Sequence, residues 1–529
     1  MFDALIVGAG FSGLYALHRL RELGLRARIV EAGSGVGGTW FWNRYPGARC
    51  DVESMDYCYS FSESLQQEWR WTERYPSQPE ILKYLNHVAD RFALRPDIAF
   101  NTRVTRAVFD EAARRWTLTT DRAETLEARF CIMATGCLSA PRVPNFKGIE
   151  NFKRPWYHTA AWPQGGVDFS GQVVGCIGTG STGIQAIPMI AEQAKKLFVF
   201  QRTPNFSIPA HNRPLDPDYE RDLKSRYADY RQSARDSFFG VPFPANNVSA
   251  LSVSAEERRD EYERRWKIGG GTPILNAYAD LLVNRCANDT IADFVRDKIR
   301  SIVKDPAVAD LLTPRDHPLG TKRICVDTNY YATFNRSNVQ LVDVRKSPVE
   351  EITATGVRTA DGSYDLDSLV FATGFDAMTG ALLNIDIEGE GGANLKQKWA
   401  QGPRCYLGIM TAGFPNMFVI TGPGSPSVLS NMVVSVEQHV NWTVSCIEYL
   451  RQRGYQYISP NQEAEDGWVA HVNEVANMTL FPQANSWYTG ANVPGKARIF
   501  MPYVGGVGAY AKTCEAIAAA GYTGFDLAV

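Results

Sequence analysis

The residues DALIVG at positions 3 to 8 form a short apolar run of the length of a buried strand. The next stretch, GAGFSG, carries glycines at 8, 10 and 13, and after it Leu14, Leu17, Leu20 and Leu23 recur at near-helical spacing until Gly24 stops them. A second apolar run, ARIVE, ends on Glu31. The pattern predicts strand, turn, helix and strand. It returns at QVVGCIGTGSTG, with glycines at 178, 180 and 183. A helix through Ile184, Ile187, Ala191 and Ala194 follows, interrupted by Pro188, and then the strand KLFVFQR. No further internal repeat is visible.

Glycines at this spacing between a strand and a helix suit a dinucleotide. The first allows the tight turn, the second lets pyrophosphate approach the backbone, and the third lets helix and strand pack closely. The helix start supplies free N–H groups. The two units differ where the second strand ends. Gly8 is followed 23 residues later by Glu31, placed to accept hydrogen bonds from a ribose hydroxyl. The second unit has Gln201 and Arg202 at the equivalent place, and a guanidinium can grip a 2′-phosphate that an acid would repel. The first site therefore suits FAD and the second NADPH. Two ATG segments, at 134–136 and 372–374, each follow an apolar strand and bring backbone near a cofactor, a weak signal taken alone.

Composition narrows the chemistry. The 529 residues hold 55 basic and 57 acidic side chains, a net charge of −2, which gives no pull toward nucleic acid. No apolar stretch reaches the ~20 residues of a membrane helix, and a chain starting inside a strand is expected to lack a targeting peptide. The ten cysteines are scattered, without a C-x-x-C pair or a zinc-like spacing with histidine, so reduced thiols in a cytoplasmic protein are expected, with no metal. A flavin reduced by NADPH must pass its electrons on. With no redox cysteine pair and no metal cluster to take them, dioxygen is the remaining acceptor.

Two longer motifs carry a more specific resemblance. The segment FKRPWYHTAAWP matches F-x-G-x-x-x-H-x-x-x-W-P at Phe152, His158, Trp162 and Pro163, with Arg154 at the glycine position. The pattern G-G-x-W-x-x-x-x-Y-P-G-x-x-x-D is complete at Gly37, Gly38, Trp40, Tyr45, Pro46, Gly47 and Asp51. In these motifs and along its whole length the chain resembles the single-component Baeyer–Villiger monooxygenases. The resemblance implies NADPH- and O2-dependent conversion of ketones to esters or lactones, through an anionic flavin C4a-peroxide that attacks the carbonyl.

The resemblance also implies roles for single residues. Arg323, in GTKRICVDTNYY, becomes the fixed cation beside the peroxide, and Asp51 the acid that positions it; on residue type alone the two read as a surface arginine and a turn former. Gly8, Gly10, Gly13, Glu31, Gly38, Thr39, Trp40, Asp51, Val52, Tyr57 and Val104 become flavin contacts. Gly178, Thr179, Gly180, Ser181 and Gly183 hold the second nucleotide, Arg202, Thr203 and Lys322 its 2′-phosphate, and Trp487 covers it. Leu138, Ser427, Val428, Leu429 and Met432 line the ketone pocket. Phe152, His158 and Trp162 become a joint between domains, with His158 orienting them rather than moving protons. If the glycine replaced by Arg154 used a positive φ, the arginine would be strained there.

The expected fold is α/β, with two Rossmann-like dinucleotide-binding domains, each discontinuous. The flavin domain spans roughly 1–140 and 375–529, and the NADPH domain roughly 141–215 and 319–374. A charged insertion at about 216–318 shows helical spacing in SAEERRDEYERRW and IADFVRDKIRSIV. A monomer acting on a small-molecule ketone and O2, with no nucleic acid or membrane partner, is expected. Two alternatives stand beside this reading: a related flavin monooxygenase that oxygenates sulfides or amines, and a flavin-binding sensor without turnover.

Overall fold

Strands β1 (Phe2–Val7), β2 (Ala27–Val30) and β3 (Ile98–Ala99) run parallel, and β1 also pairs in parallel with β6 (Thr125–Met133). Helix α1 (Phe11–Glu22) crosses from β1 to β2, burying Leu14, Leu17 and Leu20. Strands β4 (Val104–Asp110) and β5 (Arg115–Thr120) extend the sheet, with β5 antiparallel to both β4 and β6. Two late strands complete it, Asp386–Glu388 beside β4 and Met417–Val419 beside β6. Segments from the first and last thirds of the sequence thus share one sheet. The structure is a computed structural model that describes residues 1–529.

A second sheet, of five parallel strands, has the order Val339–Asp343, β9 (Lys196–Gln201), β8 (Val173–Ile177), Ser368–Phe371, β7 (Trp156–His158). The helix Ser181–Gln193 crosses from β8 to β9 and continues through the buried Pro188. Both sheets are therefore the α/β, Rossmann-like units that the repeated pattern predicts.

The glycine turns show why the pattern recurs. A Cβ on Gly8 would lie 2.6 Å from the carbonyl oxygen of Ala134, and one on Gly178 would lie 2.3 Å from that of Ala372. Each ATG segment is thus the floor on which a fingerprint glycine rests. A Cβ on Gly13 or Gly183 would strike the Gly8 or Gly178 carbonyl oxygen, at 1.8 and 2.2 Å, so no side chain fits between turn and helix.

The segment 216–318 divides between two apolar cores. Leu223 and Tyr227, from the helices Pro217–Ser225 and Tyr227–Asp236, join the core of the first sheet. Tyr262, Ile291 and Val295, from Ala255–Ile268 and Arg285–Ile302, join the core of the second. Arg231 is buried with the first group and donates to the carbonyls of Met55 and Asp56 at 2.8 and 3.0 Å. The charged helices of this segment therefore cover both domains, a division that helical periodicity does not reveal.

Candidate active site

The site lies along the loop 37–51, which packs on the first glycine turn through Gly38 and on the helix after the second turn through Gly47. Neither α1 nor Ser181–Gln193 has a side chain capping its first turn, and a Cβ on Gly180 would meet nothing within 4 Å. An uncapped helix start with open space before it, as at Gly180, fits a pyrophosphate group. Gly38, at φ +52, lies against the first turn, since its Cβ would come 2.9 Å from Gly10 Cα. The G-G-x-W loop is thereby laid over the flavin fingerprint. Beside it stand Thr39, which starts the short helix Thr39–Trp42, then Trp40 and Tyr57, with Trp40 Nε1 donating to Tyr57 Oη at 3.3 Å. Val52 is half-buried, and Val104 is buried at the start of β4.

Glu31 has a task beyond the one its position suggests. Its two carboxylate oxygens accept the N–H groups of Ala9 and Gly33, at 2.7 and 2.6 Å. Burial raises its pKa while these two bonds and nearby Arg103 pull it down. It holds the turn in shape and keeps lone pairs for a ribose hydroxyl.

At the second turn, Arg202 is exposed and has no hydrogen-bond or ion-pair partner. Thr179 Oγ1 donates to the Thr203 carbonyl at 3.1 Å, which ties the fingerprint to the residue beside Arg202. Lys322 is mostly enclosed, and its Nζ lies 3.7 Å from Asp316 Oδ2. An unpaired guanidinium with an ammonium nearby fits a 2′-phosphate.

Arg323 and Asp51 meet between the two turns, where Arg323 Nε donates to Asp51 Oδ2 at 3.0 Å and Nη1 donates to the Val428 carbonyl at 3.2 Å. A third of the Arg323 side chain remains accessible although protein encloses it, so its free edge faces an internal cleft. Burial is the largest influence and works against the guanidinium, but the Asp51 charge and hydrogen bond together with Tyr488 and Cys50 outweigh it, and the pKa of Arg323 is raised. Burial likewise raises the Asp51 carboxyl, with Arg323 drawing it back. Arginine does not titrate in proteins, so the cation is the fixed member of the pair.

Sequence reasoning missed Gln185, which reaches across from the helix Ser181–Gln193. Its Oε1 accepts from Tyr45 Oη at 2.8 Å, and its Nε2 donates to the Arg49 carbonyl at 3.0 Å and to Asp51 Oδ1 at 3.4 Å. The glycine of Y-P-G belongs to this contact, because a Cβ on Gly47 would lie 2.4 Å from the Gln185 carbonyl oxygen. Tyr488 was also missed. It is buried close to Arg323, next to the half-buried Trp487, whose ring centroid is 4.3 Å from its own. The only sequence signal for Tyr488 was its neighbour in SWYTGAN. Ser181 Oγ, at the start of the second helix, lies 3.3 Å from the thiol of Cys325, two residues beyond Arg323.

The expected pocket residues lie together. Val428 belongs to a small apolar core with Cys137, Phe481 and Tyr488, against which Leu138, Leu429 and Met432 pack. Ser427 is buried at φ +42 and donates its hydroxyl to the Thr421 carbonyl at 3.1 Å, fixing the loop that offers the Val428 oxygen to Arg323.

His158 sits at the joint of the two sheets. Its Nδ1 accepts from Ala160 N–H at 3.1 Å, so Nε2 carries the proton and faces the Arg142 carbonyl at 3.2 Å. Thr373 Oγ1 donates to the same carbonyl at 2.8 Å. Arg142 N–H in turn donates to Gly374 O at 3.0 Å, so the outgoing and returning chain segments are tied together here. Burial lowers the pKa of His158, which keeps it neutral. Phe152 and Trp162 are buried in separate cores near the second sheet. Arg154 is not among the residues of positive φ; it is exposed, 3.4 Å from Asp367, so it carries no backbone strain.

Two dinucleotide turns facing one cleft, one backed by a buried acid and one by a free arginine, define a flavin- and NADP-dependent oxidoreductase. Residues 5–237 match the family described as pyridine nucleotide-disulphide oxidoreductase, although all ten cysteines here are free thiols. The chain is 44% identical to a Baeyer–Villiger monooxygenase of Pseudooceanicola batsensis, over 99% of this chain and 95% of that one. It is 43% identical to the acetone monooxygenase (methyl acetate-forming) of Gordonia sp. strain TY-5, over 99% of both. Among solved structures, an oxidized steroid monooxygenase bound to NADP superposes with a TM-score of 0.96 at 54% identity, covering 100% of this chain and 99% of that one. The chain belongs to the Baeyer–Villiger monooxygenase family. No helix is long and apolar enough to cross a membrane.

Proposed function

We propose that the cleft between the two turns converts ketones to esters or lactones with NADPH and dioxygen, and that Arg323 braced by Asp51 is its electrostatic centre. Bound FAD supplies hydride acceptance from NADPH and activation of dioxygen. The chain supplies position and charge. Gly8, Gly10, Gly13 and Glu31 hold the flavin nucleotide under the Gly38–Trp40 loop. Arg202, Thr203 and Lys322 would hold the 2′-phosphate, and Trp487 would cover the bound nucleotide.

With FAD and a ketone bound, Arg323 would be the cation available to stabilise negative charge growing on oxygen. A preorganised cation in an enclosed cleft stabilises such charge without reorganising. It cannot surrender a proton, so its charge would persist through the reaction, and Asp51 and the Val428 carbonyl fix its orientation. Leu138, Val428, Leu429 and Met432 exclude water and hold the ketone's apolar substituents.

The observation that carries this reading is the 3.0 Å pair of Arg323 and Asp51, with Arg323 also held by the pocket loop. The test is incubation with NADPH, air and a panel of ketones, sulfides and amines. Esters or lactones formed in step with NADPH consumption are expected. Oxygenated sulfides or amines with no ester from any ketone would overturn the reading in favour of the related monooxygenases. The reading includes a cytoplasmic monomer acting on small ketones, which size-exclusion chromatography with light scattering tests for mass.

A further inference from the structure

Asp316 is an acid in the region read as the 2′-phosphate site. Its Oδ2 lies 3.7 Å from Lys322 Nζ, and its Oδ1 faces His317 Nδ1 at 2.7 Å. An ionised carboxylate only accepts, so Nδ1 bears the ring proton. The His317 ring is almost wholly buried, edge-on to Phe206 at 5.3 Å, and its Nε2 has no partner. A ring fixed in this way anchors the carboxylate. Asp316, itself exposed, is therefore positioned by this bond when a ligand arrives.

We propose that Asp316 is a resident counter-ion for Lys322, a release element that competes with the 2′-phosphate of NADPH. The inference rests on the reading of Arg202 and Lys322 as the phosphate site. Without a phosphate, Lys322 is partnered by Asp316 while Arg202 stands free. An incoming phosphate satisfies Arg202 and draws Lys322 away from its carboxylate. Because His317 anchors Asp316, that carboxylate stays close and repels the phosphate. The phosphorylated nucleotide is thus held firmly enough to be selected, yet loosely enough to leave once oxidised. A nucleotide lacking the phosphate leaves the Asp316–Lys322 pair undisturbed and feels no such competition.

The test uses the flavin-loaded, oxidised protein and calorimetric titration with adenosine 2′,5′-bisphosphate and, separately, AMP. Asp316→Asn should bind the bisphosphate about three- to tenfold more tightly at low salt, the size of one partly screened charge repulsion a few ångströms away. AMP affinity should change less than twofold, and the gain should shrink as salt is raised. In a Lys322→Met background the same replacement should still favour the bisphosphate, through lost repulsion alone, but by a smaller factor. Unchanged or weaker bisphosphate binding in Asp316→Asn would overturn the proposal, as would an equal gain for AMP. Should Asp316→Asn fail to load flavin, Asp316→Ser takes its place with the same expectations. Arg202→Ala is measured in parallel. If it binds the bisphosphate as tightly as the parent, the phosphate-site reading itself fails. If it weakens binding while Asp316→Asn changes nothing, only the role of Asp316 fails.

Discussion

Replacing Arg323 by alanine removes more than a charge. The guanidinium makes two hydrogen bonds, to Asp51 at 3.0 Å and to the Val428 carbonyl at 3.2 Å. Its loss leaves Asp51 Oδ2 without this partner, while the long 3.4 Å contact from Gln185 to Oδ1 remains. Breaking an enclosed pair on one side costs about 3–5 kcal/mol, because the remaining charge is buried alone. Part of that is recovered, since burial already raises the Asp51 carboxyl and removing Arg323 lets it protonate more readily. Thermal unfolding should therefore rank the parent above Arg323→Ala/Asp51→Asn, and that double variant above Arg323→Ala, because asparagine carries no orphaned charge. Activity should rank differently. Both variants lack the cation, and ester formation should fall by about a hundredfold or more in each, the size of one strong electrostatic stabiliser. NADPH should still be consumed, with hydrogen peroxide released in place of ester, because Arg202 and the second turn are intact. The assay follows NADPH absorbance, ester and peroxide together. Substantial ester from the Arg323→Ala protein would refute the reasoning, and so would a double variant that recovers activity along with stability.

Three further outcomes are expected. Arg202→Ala should raise the KM for NADPH about ten- to a hundredfold, the ~1.5–3 kcal/mol of a charged hydrogen bond, with NADH little affected; equal use of both nucleotides by the parent would contradict this. His158→Ala should load FAD and lose turnover without abolishing it, its effect falling on NADPH kinetics; normal NADPH consumption with no ester at all would point to a chemical role instead. His439 is wholly buried, with Nδ1 accepting from Thr421 N–H at 3.0 Å and Nε2 2.8 Å from Tyr510 Oη, and burial pushes its pKa down to about 4. Its folded pKa lies below the unfolded value, so its contribution is fully present above about pH 6.5 and is lost as pH falls toward 4, roughly 3 kcal/mol in all. His439→Gln should flatten the acid side of the melting-temperature profile, and an unchanged profile would remove His439 as its cause.

Local pattern carried a large part of this protein. Apolar runs, glycine spacing and the residue ending each second strand depend on contacts within about thirty residues, so both dinucleotide units and the contrast between Glu31 and Arg202 are visible in the chain itself. The long motifs added Asp51, His158 and, through resemblance, Arg323. Tertiary structure decided what depends on distant segments meeting. Gln185 touches Asp51 from 134 positions away, and helical spacing cannot say which residue of a second-domain helix faces a first-domain loop. Arg154 looked like a strained replacement until its φ was known, because a glycine in a motif does not disclose whether it needs a left-handed backbone. Asp316 is one more acid in a charged stretch until Lys322 and the buried His317 ring are found beside it. Burial and pairing across the chain set the charge state of such a group, and neither quantity is local to its place in the sequence.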